Sequence, residues 1–173
     1  MRIALIGAAG QLGTDLLPLL GENTAPLGHA AIEVTLLESV KAALSAARAE
    51  FVINLAAYNL VDRAEQEAET AFAVNADGPR NLADWCEQHG IPLLHVSTDY
   101  VVGKDRMRCE PYRESDAPGP ISVYGQSKLA GETAVAQNCR RHLIVRTCGL
   151  YGHAALKGAG KGNFVETMLR LGG

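Results

Sequence analysis

Tyr124 and Lys128 stand four residues apart in the segment ISVYGQSKLAG, which covers residues 121–131. In a helix, residues with this spacing point to the same side. A free tyrosine titrates near pH 10, and an ammonium group ~5 Å away would lower its pKa by roughly two units at an effective dielectric constant of ~20. The pair could then transfer a proton at neutral pH, but the same spacing is also common on solvated helix faces. Other residues must decide between these two interpretations.

Polar residues end the apolar run PLLHVSTDY, the predicted strand that precedes this helix in the chain. If the run is a parallel strand, Ser97, Thr98 and Asp99 lie at its carboxyl end, where such sheets bind ligands. A hydroxyl of Ser97 or Thr98 could hold a carbonyl oxygen while Tyr124 supplies its proton. Alternatively, the three residues form a turn or a helix cap, because their side chains satisfy free backbone N–H groups.

The segment GAAGQLG places Gly7, Gly10 and Gly13 between an apolar run and a helical pattern. The first glycine permits a tight turn, the second allows a pyrophosphate to approach the backbone, and the third allows the helix to pack closely on the strand. Free N–H groups at the helix start attract the anion. This strand–turn–helix context predicts a dinucleotide site.

The sequence does not choose between NAD and NADP. An acidic residue after the second strand would bind the ribose hydroxyls of NAD, and a basic residue would favour the phosphate of NADP. Gly28 and His29 occupy this position. A histidine favours neither cofactor and could equally be an exposed loop residue.

The elements that must position these residues alternate along the chain. Runs of continuous apolar residues are typical of strands buried on both faces of a parallel sheet. They alternate with helical patterns, which predicts an α/β fold with a Rossmann-type doubly wound parallel sheet and helices on both faces. The predicted strands contain RIALIG, FVINLAA, PLLHVSTDY and HLIVRT, and the helices cover residues 11–20, 39–49, 62–88 and 124–137.

Three segments fit this pattern less simply. The second strand falls in NTAPLGHAAIEV, where Pro26 favours a short edge strand. Pro79, which follows Gly78, should break the long middle helix and begin its second piece. The segment NFVETMLRL has the spacing of an amphipathic helix that begins at the cap residue Asn163.

Composition narrows the class of protein. The 173 residues are 47% hydrophobic and 20% charged, with a formal net charge of -3, which indicates one soluble domain without affinity for nucleic acid or anionic membranes. No apolar run is long enough to span a bilayer, so a cytoplasmic protein is expected. The four cysteines, which lack the spacing of a metal site, are expected to be reduced structural thiols. No metal ligand is assigned.

The ordered motifs GAAGQLG, NLAAY, VDRAE, STDYV, VYGQSKLAGE, RTCGLYG and GNFVETML resemble the extended short-chain dehydrogenases/reductases. Within that superfamily they are most similar to the dTDP-4-dehydrorhamnose reductases. The resemblance covers nearly the whole chain. It implies that residues 1–173 are an NAD(P)-binding Rossmann domain and that the substrate domain of the family is absent or truncated.

The resemblance also implies an activity and a set of site residues. Such enzymes transfer hydride from NADPH or NADH to the C4 keto group of a dTDP-linked 6-deoxy-4-keto sugar, which gives dTDP-L-rhamnose. By position, Tyr124 would donate the proton, Lys128 would hold the nicotinamide ribose and lower the tyrosine pKa, and Thr98 would bind the C4 oxygen. The implied cofactor residues are Gly7, Gly10, Gln11, Leu12, Glu33, Val34, Ala56, Ala57, Tyr58, Ser97, Tyr124 and Lys128, and the implied sugar residues are Asn59, Val61, Thr98, Asp99 and Tyr100.

Some positions depart from the family, and two further functions stay open. Gly149 stands where the reductases usually carry an aromatic residue, and Val102 replaces a usual phenylalanine. Asp99 beside Thr98 also suits an epimerase or dehydratase of the same superfamily. A regulatory subunit like the methionine adenosyltransferase β-subunit would bind the cofactor without catalysis. Asn75 matches a family asparagine near the site or packs inside a helix, and the sequence leaves open whether the chain forms a homodimer.

Overall fold

The computed structural model describes residues 1–105, 107–156 and 164–172. Five strands form a parallel sheet in the order β2-β1-β3-β4-β5. This order and the helices between the strands confirm the predicted Rossmann-type fold. The strands are β1 (Ile3–Ile6), β2 (Thr24–Leu27), β3 (Phe51–Asn54), β4 (Leu93–Thr98) and β5 (His142–Thr147).

The helices agree with the predicted ranges at the first, second and last of the four positions, with shifts of at most two residues. The first helix has the predicted bounds and ends before Gly21, whose φ of 79° does not continue a helix. The helices are α1 (Gln11–Leu20), α2 (Leu37–Ala47), α3 (Val61–Ala64), α4 (Ala68–Phe72), α5 (Gly78–His89), α6 (Val123–Asn138), α7 (His153–Leu156) and α8 (Phe164–Leu171).

Residues of the central strands alternate between two apolar layers. Ala4, Ile6 and Val52 belong to the larger layer, which also contains buried residues of α2 and α5. Leu5 and Ile53 belong to the smaller layer, which packs against α1. Because alternate side chains of a strand point to opposite faces, a sheet with helices on both sides needs apolar residues at nearly every position. This explains the continuous apolar runs in the sequence.

The second strand is short and lies at the edge of the sheet, as predicted. It pairs with β1 alone, and Pro26 lies opposite Leu5 in that register. A proline has no N–H to donate, so it is compatible with a strand that has a neighbour on one side only.

The middle of the chain differs from the single interrupted helix predicted over residues 62–88. Pro79 does lie in the first turn of α5, as expected. However, the chain does not break there, because the π-helical turn Ala73–Asp77 joins α4 directly to α5. The wider π turn carries the fully buried Asn75. Such turns are rare and often occur at functional sites.

The last described helix, α8, lies within the amphipathic segment that the sequence predicted. Its expected cap residue, Asn163, is outside the described residues. Within the described ranges, no helix has both the length and the apolar character that crossing a membrane requires.

Candidate functional site

A cleft of about 730 Å³ opens at the carboxyl ends of β1, β3, β4 and β5. It is the edge of the sheet at which parallel α/β folds bind ligands. Fourteen of the residues assigned from the sequence line this cleft: Gly7, Gly10, Gln11, Leu12, Glu33, Val34, Ala56, Ala57, Tyr58, Asn59, Ser97, Thr98, Tyr124 and Lys128.

The glycine turn forms the floor of the cleft between β1 and α1. Gly7 has a φ of 76°, and a Cβ atom added to it would lie 2.9 Å from the backbone nitrogen of Ala56. A Cβ atom at Gly13 would lie 2.4 Å from the carbonyl oxygen of Gly7. Both positions therefore require glycine, because a side chain would collide with backbone atoms. The residues fit a diphosphate-bearing cofactor, since glycines leave the backbone of the turn open at the start of α1.

The start of α1 also suits an anion electrostatically. Gly10 precedes the helix without a side-chain cap, and the first turn carries no acidic residue. The partial positive charge of the helix N-terminus therefore faces the cleft without a side chain that neutralises it. Gln11, which was predicted to wrap the pyrophosphate, donates a hydrogen bond from Nε2 to the Leu150 carbonyl at 3.0 Å. Its side chain thus connects α1 to the segment that follows β5.

The segment between β2 and α2 supplies an oriented carboxylate. Glu33 Oε1 accepts hydrogen bonds from the Thr35 backbone N–H at 3.1 Å and from its hydroxyl at 2.8 Å. These two bonds are the main reason that the pKa of Glu33 lies below its usual range, while burial acts weakly against them. The exposed His29 lies 3.8 Å from Glu33 and also lines the cleft. The cleft therefore presents both a carboxylate and an imidazole at this end.

Asn75 forms hydrogen bonds with the backbone of the loop that follows β3. Asn75 Oδ1 accepts from the Tyr58 backbone N–H at 2.8 Å, and its Nδ2 donates to the Tyr58 carbonyl at 3.0 Å. The same Nδ2 lies 3.0 Å from the Ser127 hydroxyl, which donates to the Tyr124 carbonyl at 2.8 Å. Asn75 does not line the cleft. It is packed inside the π-helical turn, and it also hydrogen-bonds both to the Tyr58 loop and to α6 next to the site. Both interpretations that the sequence left open, a position near the site and packing inside a helix, therefore apply.

Lys128 enters the cleft from α6 and is 2% exposed. Its Nζ donates to the backbone carbonyl of Val96 in β4 at 2.8 Å. Burial lowers the pKa of Lys128 to about 8, although the nearby Glu132 opposes this change. An amine with this pKa is mostly charged at neutral pH but is much closer to titration than an exposed lysine.

Tyr124 lies in the same wall, and the electrostatics differ from the expectation. Burial raises the pKa of Tyr124, and Asp99 and Tyr100 raise it further, whereas hydrogen bonding with Thr98 lowers it. The lowering that Lys128 was expected to cause is not seen, because the desolvation of a buried phenolate dominates. Tyr124 is therefore a phenol at neutral pH and is able to donate a proton.

Thr98 and Ser97 end β4 beside this tyrosine. Thr98 Oγ1 accepts from the Tyr100 backbone N–H at 3.3 Å and donates to Asp99 Oδ1 at 3.1 Å. The turn interpretation is therefore correct, and the side chain lines the cleft as well. The Ser97 hydroxyl is buried and has no hydrogen-bond partner among the described residues. It is available to a ligand at this edge of the sheet.

Three residues predicted to contact a sugar lie outside the cleft lining. Val61 begins α3, and Asp99 and Tyr100 lie in the short 3₁₀ turn after β4. The Tyr100 ring packs edge-on against Tyr124 with centroids 5.5 Å apart. Asp99 and Tyr100 therefore lie directly behind Thr98 and Tyr124, which line the cleft, and their contact with a sugar stays a prediction.

The sequence missed the wall that β5 contributes. Thr147, Cys148 and Leu150 line the cleft, and Cys148 had been assigned only a structural role. The signal that could have found them is their position, because they follow a parallel strand in the same way as the residues after β3 and β4. Gly13 of the glycine turn and Gly28 and His29 after β2, which the sequence also pointed to, line the cleft as well. The remaining lining residues are Ile6, Ala9, Leu27, Ile32, Leu55, Val74 and Val96. In the described part of the chain, no group of three or more His, Cys, Asp or Glu side chains is placed to hold a metal ion.

Known proteins are similar to this chain over nearly its whole length. The family model described as the RmlD substrate binding domain matches residues 1–173. A dTDP-4-dehydrorhamnose reductase of Streptomyces griseus is 43% identical over 174 residues, which cover 98% of this chain and 55% of that protein. One from Sinorhizobium fredii is 40% identical over 173 residues, which cover 99% of this chain and 56% of that protein.

A solved structure is similar over the same range. The crystal structure of dTDP-4-dehydrorhamnose reductase from Bacillus anthracis in complex with NADP has a TM-score of 0.89 and 38% identity, and the match covers 99% of this chain and 59% of that chain. The chain spans about half the length of the curated relatives it matches, at 55% and 56% of the two described above.

Proposed function

This chain belongs to the family described as the RmlD substrate binding domain, and from that membership we propose that it acts in the NAD(P)H-dependent reduction of a sugar ketone. The substrate is a dTDP-linked 6-deoxy-4-keto sugar, and reduction at C4 gives dTDP-L-rhamnose. The main support for the proposal is that Thr98, Tyr124 and Lys128 all line the same cleft, whose floor is formed by the glycine turn. A cofactor held on the floor would present its reactive end to that wall.

The residues suit a proton donor better than a proton acceptor. When bound, NADPH or NADH supplies the hydride for C4 of the sugar. The raised pKa of Tyr124 keeps its hydroxyl protonated at neutral pH, so it donates a proton to the oxygen at C4. Thr98 orients that oxygen, and the largely cationic Lys128 stabilises the negative charge that develops there.

The cofactor end of the cleft is assigned to the glycine turn and the residues around it. Gly7, Gly10, Gln11 and Leu12 would hold the pyrophosphate, Glu33 and Val34 the adenine side, and Ala56, Ala57, Tyr58 and Ser97 the ribose and nicotinamide. Their common position in one continuous cavity supports this assignment. Glu33 could bind the ribose hydroxyls of NAD, whereas His29 favours neither cofactor, so both NAD and NADP are candidates.

The substrate side is assigned in part to this chain. Asn59 and Thr98 line the cleft and are proposed to contact the sugar. Residues 1–173 are proposed to form the NAD(P)-binding domain. The segment by which the relatives are longer would supply the remaining sugar contacts, and Val61, Asp99 and Tyr100 would meet it outside the cleft.

Two measurements test the proposal. First, the purified chain is titrated with NADPH and with NADH, with quenching or enhancement of nicotinamide fluorescence as the readout, and saturable binding is expected. Second, a protein that contains this chain and is as long as the relatives should oxidise NADPH or NADH when the dTDP-linked 4-keto sugar is added.

Tyr124→Phe separates chemistry from binding. The variant should keep its affinity for the cofactor and lose about 10²- to 10⁴-fold in turnover, since the proton donor is absent. Tyr151→Phe is the matched control because Tyr151 is exposed and does not line the cleft. Undiminished turnover in Tyr124→Phe would refute the role of the tyrosine. Cofactor binding without oxidation by any keto sugar would favour a regulatory binding subunit instead.

A further inference from the structure

Asn54 and His95 form a polar pair inside the sheet. They lie opposite each other in the register of β3 and β4, and both are almost completely buried. Asn54 Nδ2 and His95 Nδ1 are 3.0 Å apart. Neither residue lines the cleft, and the roles proposed above do not use them.

The bond that Asn54 makes on its other side fixes the direction of this contact. The backbone N–H of Ala56 donates to Asn54 Oδ1 at 3.0 Å, so the oxygen of the amide faces Ala56. The amide NH₂ must then face the histidine, and His95 Nδ1 accepts from it. The ring proton of His95 therefore resides on Nε2. Burial, with the charge of Lys128 as a second cause, lowers the pKa of His95 to about 3, which keeps the ring neutral.

Packing alone does not explain a histidine at this position. Its Nε2 is buried and has no hydrogen-bond partner among the described residues. A buried donor without a partner is unfavourable, and an apolar side chain of similar size would avoid that cost. What an apolar side chain cannot provide is the acceptor at Nδ1 that holds the Asn54 amide in place.

The held amide is connected to the cofactor end of the cleft through Ala56. Ala56 lines the cleft, and its backbone nitrogen is the nearest atom to a Cβ added at Gly7, at 2.9 Å. The N–H group that Asn54 fixes thus lies directly against the glycine turn. If the Asn54 side chain rotated away, Ala56 would lose its acceptor and the fit between the two loops would change.

We propose that His95 is a positioning residue of the cofactor cleft. Its neutral Nε2–H tautomer orients Asn54, Asn54 anchors the backbone of Ala56, and Ala56 sets the shape of the floor against Gly7. The role rests on the proposed function, because its consequence is affinity for NADPH or NADH.

The first test is spectroscopic and does not depend on cofactor binding. Long-range ¹H–¹⁵N spectra of the histidine rings should show His95 with an unprotonated Nδ1 and a protonated Nε2, unchanged between pH 5.5 and 8 as expected for a neutral buried ring. Asn54→Asp keeps an acceptor for Ala56 but has no N–H to donate, so His95 should move its proton to Nδ1. A protonated Nδ1 in the unmodified chain, or no change in Asn54→Asp, would overturn the proposal.

The second test is cofactor affinity, measured by the same fluorescence titration. His95→Leu should weaken binding of the preferred cofactor by about tenfold, the loss expected when one anchoring hydrogen bond is removed. His95→Asn places an oxygen near the position of Nδ1 and should stay within about threefold of the unmodified chain. Thr24→Val is the matched control, since it removes another buried unpaired polar group on β2, at the end of the strand remote from the cleft.

The outcomes separate this proposal from the proposed function. Equal binding by the unmodified chain and His95→Leu would overturn the role of His95 alone. Failure of the unmodified chain to bind either cofactor would overturn the proposed function and this role with it. If His95→Leu does not fold, as judged by circular dichroism, the His95 ring spectra of the unmodified chain and of Asn54→Asp decide, together with the cofactor affinity of His95→Asn.

Discussion

Lys128 Nζ donates a hydrogen bond to the Val96 carbonyl at 2.8 Å and thereby joins α6 to β4. The two residues are 32 positions apart in the chain. The bond places the ammonium group at the carboxyl end of the sheet, within the wall that also carries Tyr124 and Thr98. It also buries a charge, which costs free energy.

Replacing this charge should change how stability depends on pH. Burial lowers the pKa of Lys128 from 10.5, the usual value for a lysine, to about 8 in the folded chain. The unfolded chain therefore binds more protons between these pH values, so this group makes the folded state more stable as pH rises from 8 to 10.5. Below pH 8 the buried charge of Lys128 lowers the free energy of unfolding by its full amount, about 3 kcal/mol.

Lys128→Met removes that pH-dependent contribution. We expect the unmodified chain to gain stability relative to Lys128→Met between pH 8 and 10, with the difference measured by urea unfolding at each pH. Lys41→Met is the control, since Lys41 lies on the surface of α2 beside Glu38. A difference that stays constant over this range would contradict the depressed pKa.

Asn75→Ala should destabilise the chain and loosen the Tyr58 loop. The substitution removes part-buried hydrogen bonds to both backbone groups of Tyr58 and a buried one to Ser127. A loss of about 3 kcal/mol in the free energy of unfolding is expected, since buried partners are left unsatisfied. Denaturant unfolding measures it. Asn138→Ala, which removes a single bond to the Ala134 carbonyl, should cost less than about 1 kcal/mol, and equal losses would argue against the linking role of Asn75.

Gly13→Ala should weaken cofactor binding by more than about tenfold while the chain still folds. The new Cβ atom would meet the Gly7 carbonyl oxygen at 2.4 Å and Ala8 Cα at 2.7 Å, so the glycine turn must shift away from α1. Fluorescence titration with NADPH and NADH measures the loss. Gly149→Ala is the control because no atom lies within 4 Å of a Cβ placed there. Full affinity in Gly13→Ala would mean that the turn does not set the shape of the site.

Glu132→Gln should destabilise the attachment of α6 to β5. Arg146 donates to both carboxylate oxygens of Glu132, from Nε at 2.9 Å and from the guanidinium NH₂ at 2.6 Å. Glu132 is buried whereas Arg146 keeps 30% of its side chain exposed, so we expect a loss of about 2 kcal/mol, less than for a fully buried pair.

Thermal and urea unfolding measure this loss. Glu38→Gln, which breaks the exposed pair with Lys41, should change stability by less than about 0.5 kcal/mol. If the two variants lose the same amount, the Glu132–Arg146 pair behaves as an ordinary surface ion pair.

The sequence predicted those features of the site that depend on neighbours in the chain. The bounds of α1, the glycine turn before it and the shared helix face of Tyr124 and Lys128 follow from backbone preferences and helical periodicity. The edge position of β2 followed from Pro26 in the same way. The ordered motifs added the family, which the comparisons confirmed.

Other features depend on which segments meet after folding. The direction of the Tyr124 pKa change reflects burial by surrounding groups, and a spacing of four residues says nothing about burial. Whether Val61, Asp99 and Tyr100 line the cleft also depends on the fold: Val61 begins α3, Asp99 and Tyr100 lie in the 3₁₀ turn after β4, and none of the three is among the lining residues.

By itself, then, the sequence determined the parallel sheet, the glycine turn and the pairing of Tyr124 with Lys128 on one helix. The tertiary structure decided that Lys128 bonds to Val96, that Asn75 holds Tyr58, and that His95 accepts from Asn54. The physical reason is the range of the interactions. Periodicity and turn preferences act over a few residues, whereas burial and buried hydrogen bonds join residues that are 17 to 41 positions apart in these three contacts.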